Sequence, residues 1–131
     1  MSEDKFDRFE RGVFQIFRLT HLGEMQWSRK NPPQSLTGGT NSVFPYFFEA
    51  EYGGKHLGLF QERYRYALSE TEERWGERVG LVLLDSAGDV EFEFPLTPFT
   101  DDLFEAVKIK ESNVDDFLNV LMQSEPHGVK I

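Results

Sequence analysis

Apolar residues near the N-terminus recur at the spacing of an amphipathic helix. They occupy positions i, i+3, i+7, i+10 and i+11, which places them on one helical face. We therefore predict a helix over residues 4–22, ended by Gly23, which can adopt the positive φ of a helix terminus. The apolar positions are Phe6, Phe9, Val13, Ile16 and Phe17.

The middle of the chain changes to the alternation typical of strands. Residues 24–30 predict a short first strand, and 43–52 and 55–66 predict two more. Gly53-Gly54 separates the latter two, which predicts a hairpin because a type I′ turn needs positive φ at both central positions. Pro45 should then lie near a strand start or at an edge.

A second hairpin is predicted further along the chain. Residues 79–84 form the most apolar strand, and a turn over 85–89 leads into an alternating strand over 90–94. This alternation predicts one buried face. That face would consist of Val90, Phe92 and Phe94.

Two segments lack this patterning. Residues 31–42 are rich in Pro, Gly, Ser, Thr and Asn, which predicts a flexible loop. Residues 69–78 are polar apart from Trp75 and are expected to be a connector before the strand at Val79.

Two short helices are predicted at the C-terminal end. Thr100 can cap the first, and Ser112-Asn113-Val114-Asp115 resembles a capping box for the second, which Pro126 would stop. Apolar stripes follow both starts. In the first helix they are Leu103, Phe104, Val107 and Ile109, and in the second Val114, Phe117, Leu118, Leu121 and Met122.

This element order predicts an α+β fold in a single domain spanning 1–131. It comprises an N-terminal helix, about five mainly antiparallel strands and two C-terminal helices packed on one sheet face. A partly closed β-barrel with flanking helices is the alternative. Residues 1–3 and 127–131 are expected to be loosely ordered tails.

Charge narrows the choice of partner. The 131-residue chain carries a net charge of −9 and no cysteine. Residues 1–67 hold nine Lys/Arg and eight Asp/Glu, whereas 68–131 hold five and fifteen, so the second half carries −10. We expect no binding to nucleic acid or anionic membranes, since both require clustered cations. Without a membrane span or a signal peptide, a cytoplasmic location is expected.

Residues for familiar chemistries are missing or scattered. Gly53-Gly54-Lys55 lacks the remaining positions of a phosphate-binding loop, and no Gly-x-Ser-x-Gly motif occurs. The three histidines fall on different predicted elements, which argues against a metal site. Paired carboxylates such as Asp101-Asp102 and Asp115-Asp116 suit helix N-termini. We therefore predict no cofactor and favour a protein that is not an enzyme.

The hairpin ending in Pro95, followed by residues 101–107 and 114–118, resembles a group of short uncharacterised bacterial proteins. The likeness covers roughly residues 79–122, and a weaker likeness covers residues 46–66. It implies a bacterial, cytoplasmic, free-standing domain and carries no functional residue with it.

Strand aromatics exceed what one sheet face can bury, which leads to two hypotheses. The first is a non-catalytic acidic interaction, regulatory or accessory domain that binds another protein or itself. Its expected surface consists of Tyr64, Tyr66, Trp75 and Arg78. The second is a ligand-binding protein or enzyme with an aromatic-lined pocket between sheet and helices. Acidic mimicry of nucleic acid is a third, less supported idea.

Overall fold

The computed structural model describes residues 5–124, with side chains from residue 7 onwards. The predicted tails and the side chain of Phe6 therefore lie outside the part of the chain that the structure describes. The fold is α+β: an N-terminal helix, an open antiparallel sheet in the order β1-β2-β3-β4-β5, and two C-terminal helices. Because the sheet is open, the barrel alternative is wrong. The elements are α1 (Lys5–His21), β1 (Trp27–Arg29), α2 (Gln34–Thr37), β2 (Val43–Tyr52), β3 (Lys55–Ala67), β4 (Glu73–Leu84), β5 (Val90–Glu93), α3 (Thr100–Glu111) and α4 (Val114–Gln123).

Helices α1 and α3 pack on one face of the sheet and enclose the larger core. The predicted helix over the N-terminal segment is confirmed, and Gly23 after it has a φ of +79°. Thr20 joins α1 to the sheet, because its Oγ1 accepts a 2.9 Å hydrogen bond from Trp27 Nε1. The buried members of this core are Val13, Leu19, Met25, Trp27, Phe48, Ala50, Leu57, Leu59, Leu81, Leu103, Phe104 and Val107.

The opposite sheet face has its own smaller core. Phe47, Phe60, Val82 and Leu84 are buried there. Within the segment predicted as a loop, α2 forms one helical turn, and its Leu36 packs against this cluster. The excess of strand aromatics is thus partly explained by burial on both faces.

The hairpins follow the sequence pattern closely at their turns. Gly53 and Gly54 have φ values of +61° and +78°, which confirms the predicted Gly-Gly turn. Pro45 lies near the start of β2, where the pairing with β3 is irregular between Val43 and Tyr46. The β-bulge accommodates a residue that cannot donate a ladder hydrogen bond.

The expected connector over 69–78 is wrong for most of its length. Strand β4 begins at Glu73, so Trp75 lies within the strand and pairs with Arg65 of β3. The N-terminal half of β4 is charged apart from Trp75 and Gly76 and lacks an apolar signal. Pairing with the 13-residue β3 makes it a strand.

The single buried face predicted for β5 is also wrong. A bulge shifts the register, so that Phe92 pairs with Leu83 while Val90 pairs with Leu84. Val90 consequently packs on the smaller core, and Phe92 faces α1, stacked on Phe9 with ring centroids 5.6 Å apart. Phe92 is 43% exposed and does not belong to the core.

The C-terminal helices exist, but their ends differ from the prediction. Thr100 is the first residue of α3 and not its cap, and its Oγ1 accepts a 3.1 Å hydrogen bond from the Thr97 amide. Neither Ser112 nor Asn113 forms a capping box for α4. Ser112 instead ends α3, where its hydroxyl donates a 2.8 Å hydrogen bond to the Ile109 carbonyl.

Candidate interaction site

The predicted interaction residues lie on two different faces of the β3–β4 hairpin. Directly paired residues on neighbouring strands share a face. Trp75 pairs with Arg65, whereas Tyr64 pairs with Gly76. Trp75 therefore lies on the helix-bearing face, and Tyr64, Tyr66 and Arg78 lie on the opposite one. The structure brings Tyr64 and Tyr66 together, with ring centroids 6.2 Å apart.

Arg78 is held in an ion network that connects three strands. Its Nε lies 2.7 Å from a Glu62 oxygen, and its Nη1 lies 2.5 Å from a Glu93 oxygen. Burial lowers the pKa of the Arg78 guanidinium, but hydrogen bonds and charge from Glu93 and Glu62 outweigh it and raise the pKa above its ordinary value. The guanidinium also lies 5.2 Å from the Phe60 ring centroid. These contacts hold the Arg78 guanidinium against the sheet.

Trp75 is half exposed, yet charged neighbours surround it. The Arg63 and Arg65 guanidinium carbons lie 5.7 and 4.9 Å from its ring centroid. Each arginine also pairs with a carboxylate of β4, Arg63 with Glu77 at 3.3 Å and Arg65 with Glu73 at 3.8 Å. The charged side chains on this face of the hairpin thus pair largely with one another and with the Trp75 ring.

Helix α4 presents a different surface, because none of its ten residues is buried. Five of its large apolar side chains are between 43% and 61% exposed. Exposed apolar patches of this kind mark interaction sites in soluble proteins. The five are Phe117, Leu118, Val120, Leu121 and Met122.

The apolar surface of α4 is also unusually wide. At about 100° per residue, its apolar positions span an arc of about 200° around the helix axis. A helix lying on a core needs an apolar stripe of only about 100°. The polar residues Asp115, Asp116, Asn119 and Gln123 occupy the remaining side. Full burial of α4 would therefore require contacts from more than one direction.

The junction between α3 and α4 directs α4 away from the sheet. Asn113 has a φ of +59° and is the one non-glycine residue with positive φ in the described part of the chain. Asparagine tolerates this left-handed conformation better than most residues. It interrupts what would otherwise be a continuous helix, and α3 provides the principal contacts of α4.

An open groove of about 290 Å³ lies beside the start of α4. Tyr46 and Phe48 of β2 form its aromatic wall, and Ile109 and Val114 form its rim toward α4. Two cations lie at the aromatic wall: the Arg29 guanidinium carbon is 4.7 Å and Lys108 Nζ is 5.1 Å from the Tyr46 ring centroid.

Two carboxylates also line this groove. They are Glu105 and Glu111 of α3. The groove therefore combines aromatic surface with charges of both signs. We call it the Tyr46 groove, defined by Arg29, Tyr46, Phe48, Glu105, Lys108, Ile109, Glu111, Ser112 and Val114.

Sequence reasoning identified the apolar stripe of α4 but assigned it to packing against the sheet. The available signal was the width of the apolar arc, which exceeds the need of a helix lying on one surface. The Tyr46 groove was not predicted, because it depends on how α3 crosses β1 and β2.

Within residues 5–124, no group of three His, Asp or Glu residues is arranged to hold a metal ion. None of the described helices is long and apolar enough to cross a membrane. Comparison with family models, curated proteins and solved structures finds no match for the chain.

Proposed function

We propose that this chain is a non-catalytic, acidic protein-interaction domain and that α4 is its binding element. The observation that carries the proposal is the exposure of five large apolar side chains on one ten-residue helix. Water contact with this surface is unfavourable, so its burial against another polypeptide would supply a driving force of about 25 cal/mol per Å².

The mode of binding follows from the shape of α4. A short amphipathic helix typically binds by laying its apolar face into a hydrophobic groove. The acidic pair at the N-terminal end of α4, Asp115 and Asp116, adds charge that would restrict the choice of groove.

A ligand-binding function at the Tyr46 groove has less support. The Tyr46 groove holds about 290 Å³, at the lower limit of the 300–1,000 Å³ typical of small-molecule sites, and it is open to solvent. Its Arg29 and Lys108 already contact Tyr46. A small anionic ligand would have to compete with these contacts and with Glu105 and Glu111.

Photo-crosslinking in living cells tests the proposal. A photoreactive phenylalanine analogue replaces Phe117, and the matched control places it at Leu96, which is 67% exposed in the β5–α3 connection. We expect polypeptide adducts from position 117 and few from position 96. Leu121→Glu in the same chain should abolish the adducts without changing the melting temperature of dilute protein. Equal yields at both positions, or none at either, would contradict the proposal.

A further inference from the structure

We infer that the polypeptide bound by α4 is a second copy of this chain. This inference rests on the proposed function, because it identifies the partner of the same helix. In the arrangement we envisage, the two α4 helices pack antiparallel about a two-fold axis near Leu118. The C-terminal end of each α4 then reaches the Tyr46 groove of the other copy.

The width of the apolar arc of α4 favours an arrangement with two separate contacts. A stable interface usually buries about 800 Å² on each partner, and α4 is only about 15 Å long. One helix–helix seam would cover about half of its 200° arc. The groove of the second copy supplies the additional surface, and Val114 makes α4 continuous with it.

The charges determine the direction of the two helices. A parallel pair would place four carboxylates side by side, from Asp115 and Asp116 of each copy. An antiparallel pair separates them to opposite ends of the interface. It also places the C-terminal end of each α4 beside the Tyr46 groove of the other copy, whose lining holds two cations, Arg29 and Lys108, and two carboxylates, Glu105 and Glu111.

Met122 fits the role of the side chain that enters the groove. It is 61% exposed and lies at the C-terminal end of α4, directly after the exposed Leu121. In an antiparallel pair this end lies beside the partner's Val114, at the groove rim. Methionine adapts to irregular apolar gaps, and its sulfur contacts aromatic rings favourably. Tyr46, at the aromatic wall of the groove, supplies such a ring.

The salt dependence of binding distinguishes a second copy of the chain from a basic foreign protein as the partner. Each copy carries −9, so dimerisation opposes like net charges, and screening should strengthen it. An acidic domain bound to a basic protein would show the reverse dependence, because salt weakens that attraction.

The first experiment measures mass by light scattering during gel filtration, from about 1 µM to about 500 µM protein, a range chosen to span dissociation constants typical of modest interfaces. We expect a concentration-dependent shift from 15.2 kDa to twice that mass, favoured by salt. Leu121→Glu should weaken the dimer at least about 30-fold, and Met122→Ala about tenfold. Leu96→Glu should leave it unchanged.

A second experiment determines helix orientation and exploits the absence of cysteine. Leu118→Cys places a thiol near the proposed axis and should form a disulfide-linked dimer on mild oxidation. Asp115→Cys should link poorly in an antiparallel pair but efficiently in a parallel one. Ser86→Cys, in the exposed β4–β5 turn, reports random collisions. Linking at position 115 but not at 118 would overturn the arrangement.

The outcomes distinguish this inference from the proposed function. A monomer at every concentration overturns the second copy as partner. If position 117 still forms adducts with a foreign polypeptide that Leu121→Glu removes, the proposed function stands. A monomer that also gives no α4 adducts overturns both.

Discussion

Helices α3 and α4 are consecutive and begin alike, yet their surroundings are opposite. Both carry an Asp-Asp pair in the first turn, followed by apolar residues at helical spacing. In α3, Thr100, Leu103, Phe104 and Val107 are buried, whereas α4 has no buried residue. Periodicity thus establishes that a helix has an apolar face, but tertiary structure decides what covers that face.

The difference arises from chain path. The segment before α3 returns from the sheet edge across the helix-bearing face, so α3 lies over Phe48 and beside α1. Lys110 Nζ secures its far end by donating a 2.6 Å hydrogen bond to the Thr20 carbonyl. After Asn113 the chain has left the sheet, and the apolar face of α4 stays exposed.

The largest expected effect comes from removing one phenylalanine in each helix. Phe104→Ala should lower the free energy of unfolding by about 3–5 kcal/mol, because it empties a buried site. Phe117→Ala should change it by no more than about 0.5 kcal/mol, as for other surface substitutions. Urea denaturation at low protein concentration measures both. Similar losses would mean that α4 is covered within the monomer.

A smaller effect is expected at the first residue of each helix. Thr100→Val removes the acceptor of the Thr97 amide and should cost about 1–3 kcal/mol, because a partly buried donor loses its partner. The matched change Val114→Thr in α4 should stay within about 0.5 kcal/mol. Thermal unfolding monitored by circular dichroism compares them. An equally stable Thr100→Val variant would refute the assigned role of Thr100.

Much of the fold is readable from sequence because local chemistry determines it. The stripe of α1, the glycine turn at residues 53–54 and the core positions of α3 follow from spacing and turn residues alone. The first half of β4 was missed because its strand state comes from pairing with a distant β3. The β5 bulge was missed for a related reason. An alternating pattern predicts that successive side chains lie on opposite faces of the sheet, but it does not show where a register shift exchanges the two faces.

The candidate site was less predictable than the fold. Composition correctly indicated more aromatic surface than one sheet face can bury, and the smaller core accounts for part of it. Trp75 and Arg78 looked available in sequence, but charged neighbours contact both of them. The exposure of α4 depends on the left-handed backbone conformation at Asn113, and a single asparagine in the sequence does not predict that conformation.

The smallest of the three stability losses is expected at Asn113. Asn113→Gly should preserve the left-handed junction and the dimer, whereas Asn113→Ala should favour a continuous α3–α4 helix. The alanine variant should lose no more than about 1 kcal/mol of unfolding free energy, because α4 contributes little to the core. It should nevertheless weaken dimerisation by redirecting α4. Light scattering measures this, and equal dimerisation of both variants would contradict the role of the junction.

Hydrogen exchange measured across protein concentrations tests the central claim most directly, namely that α4 is exposed in one copy and covered in two. We expect the amides of α3 to be equally protected at every concentration. Those of α4 should exchange rapidly in dilute protein and become protected as the concentration rises. Protection of α4 that equals that of α3 in dilute protein, or that never rises with concentration, would contradict the claim.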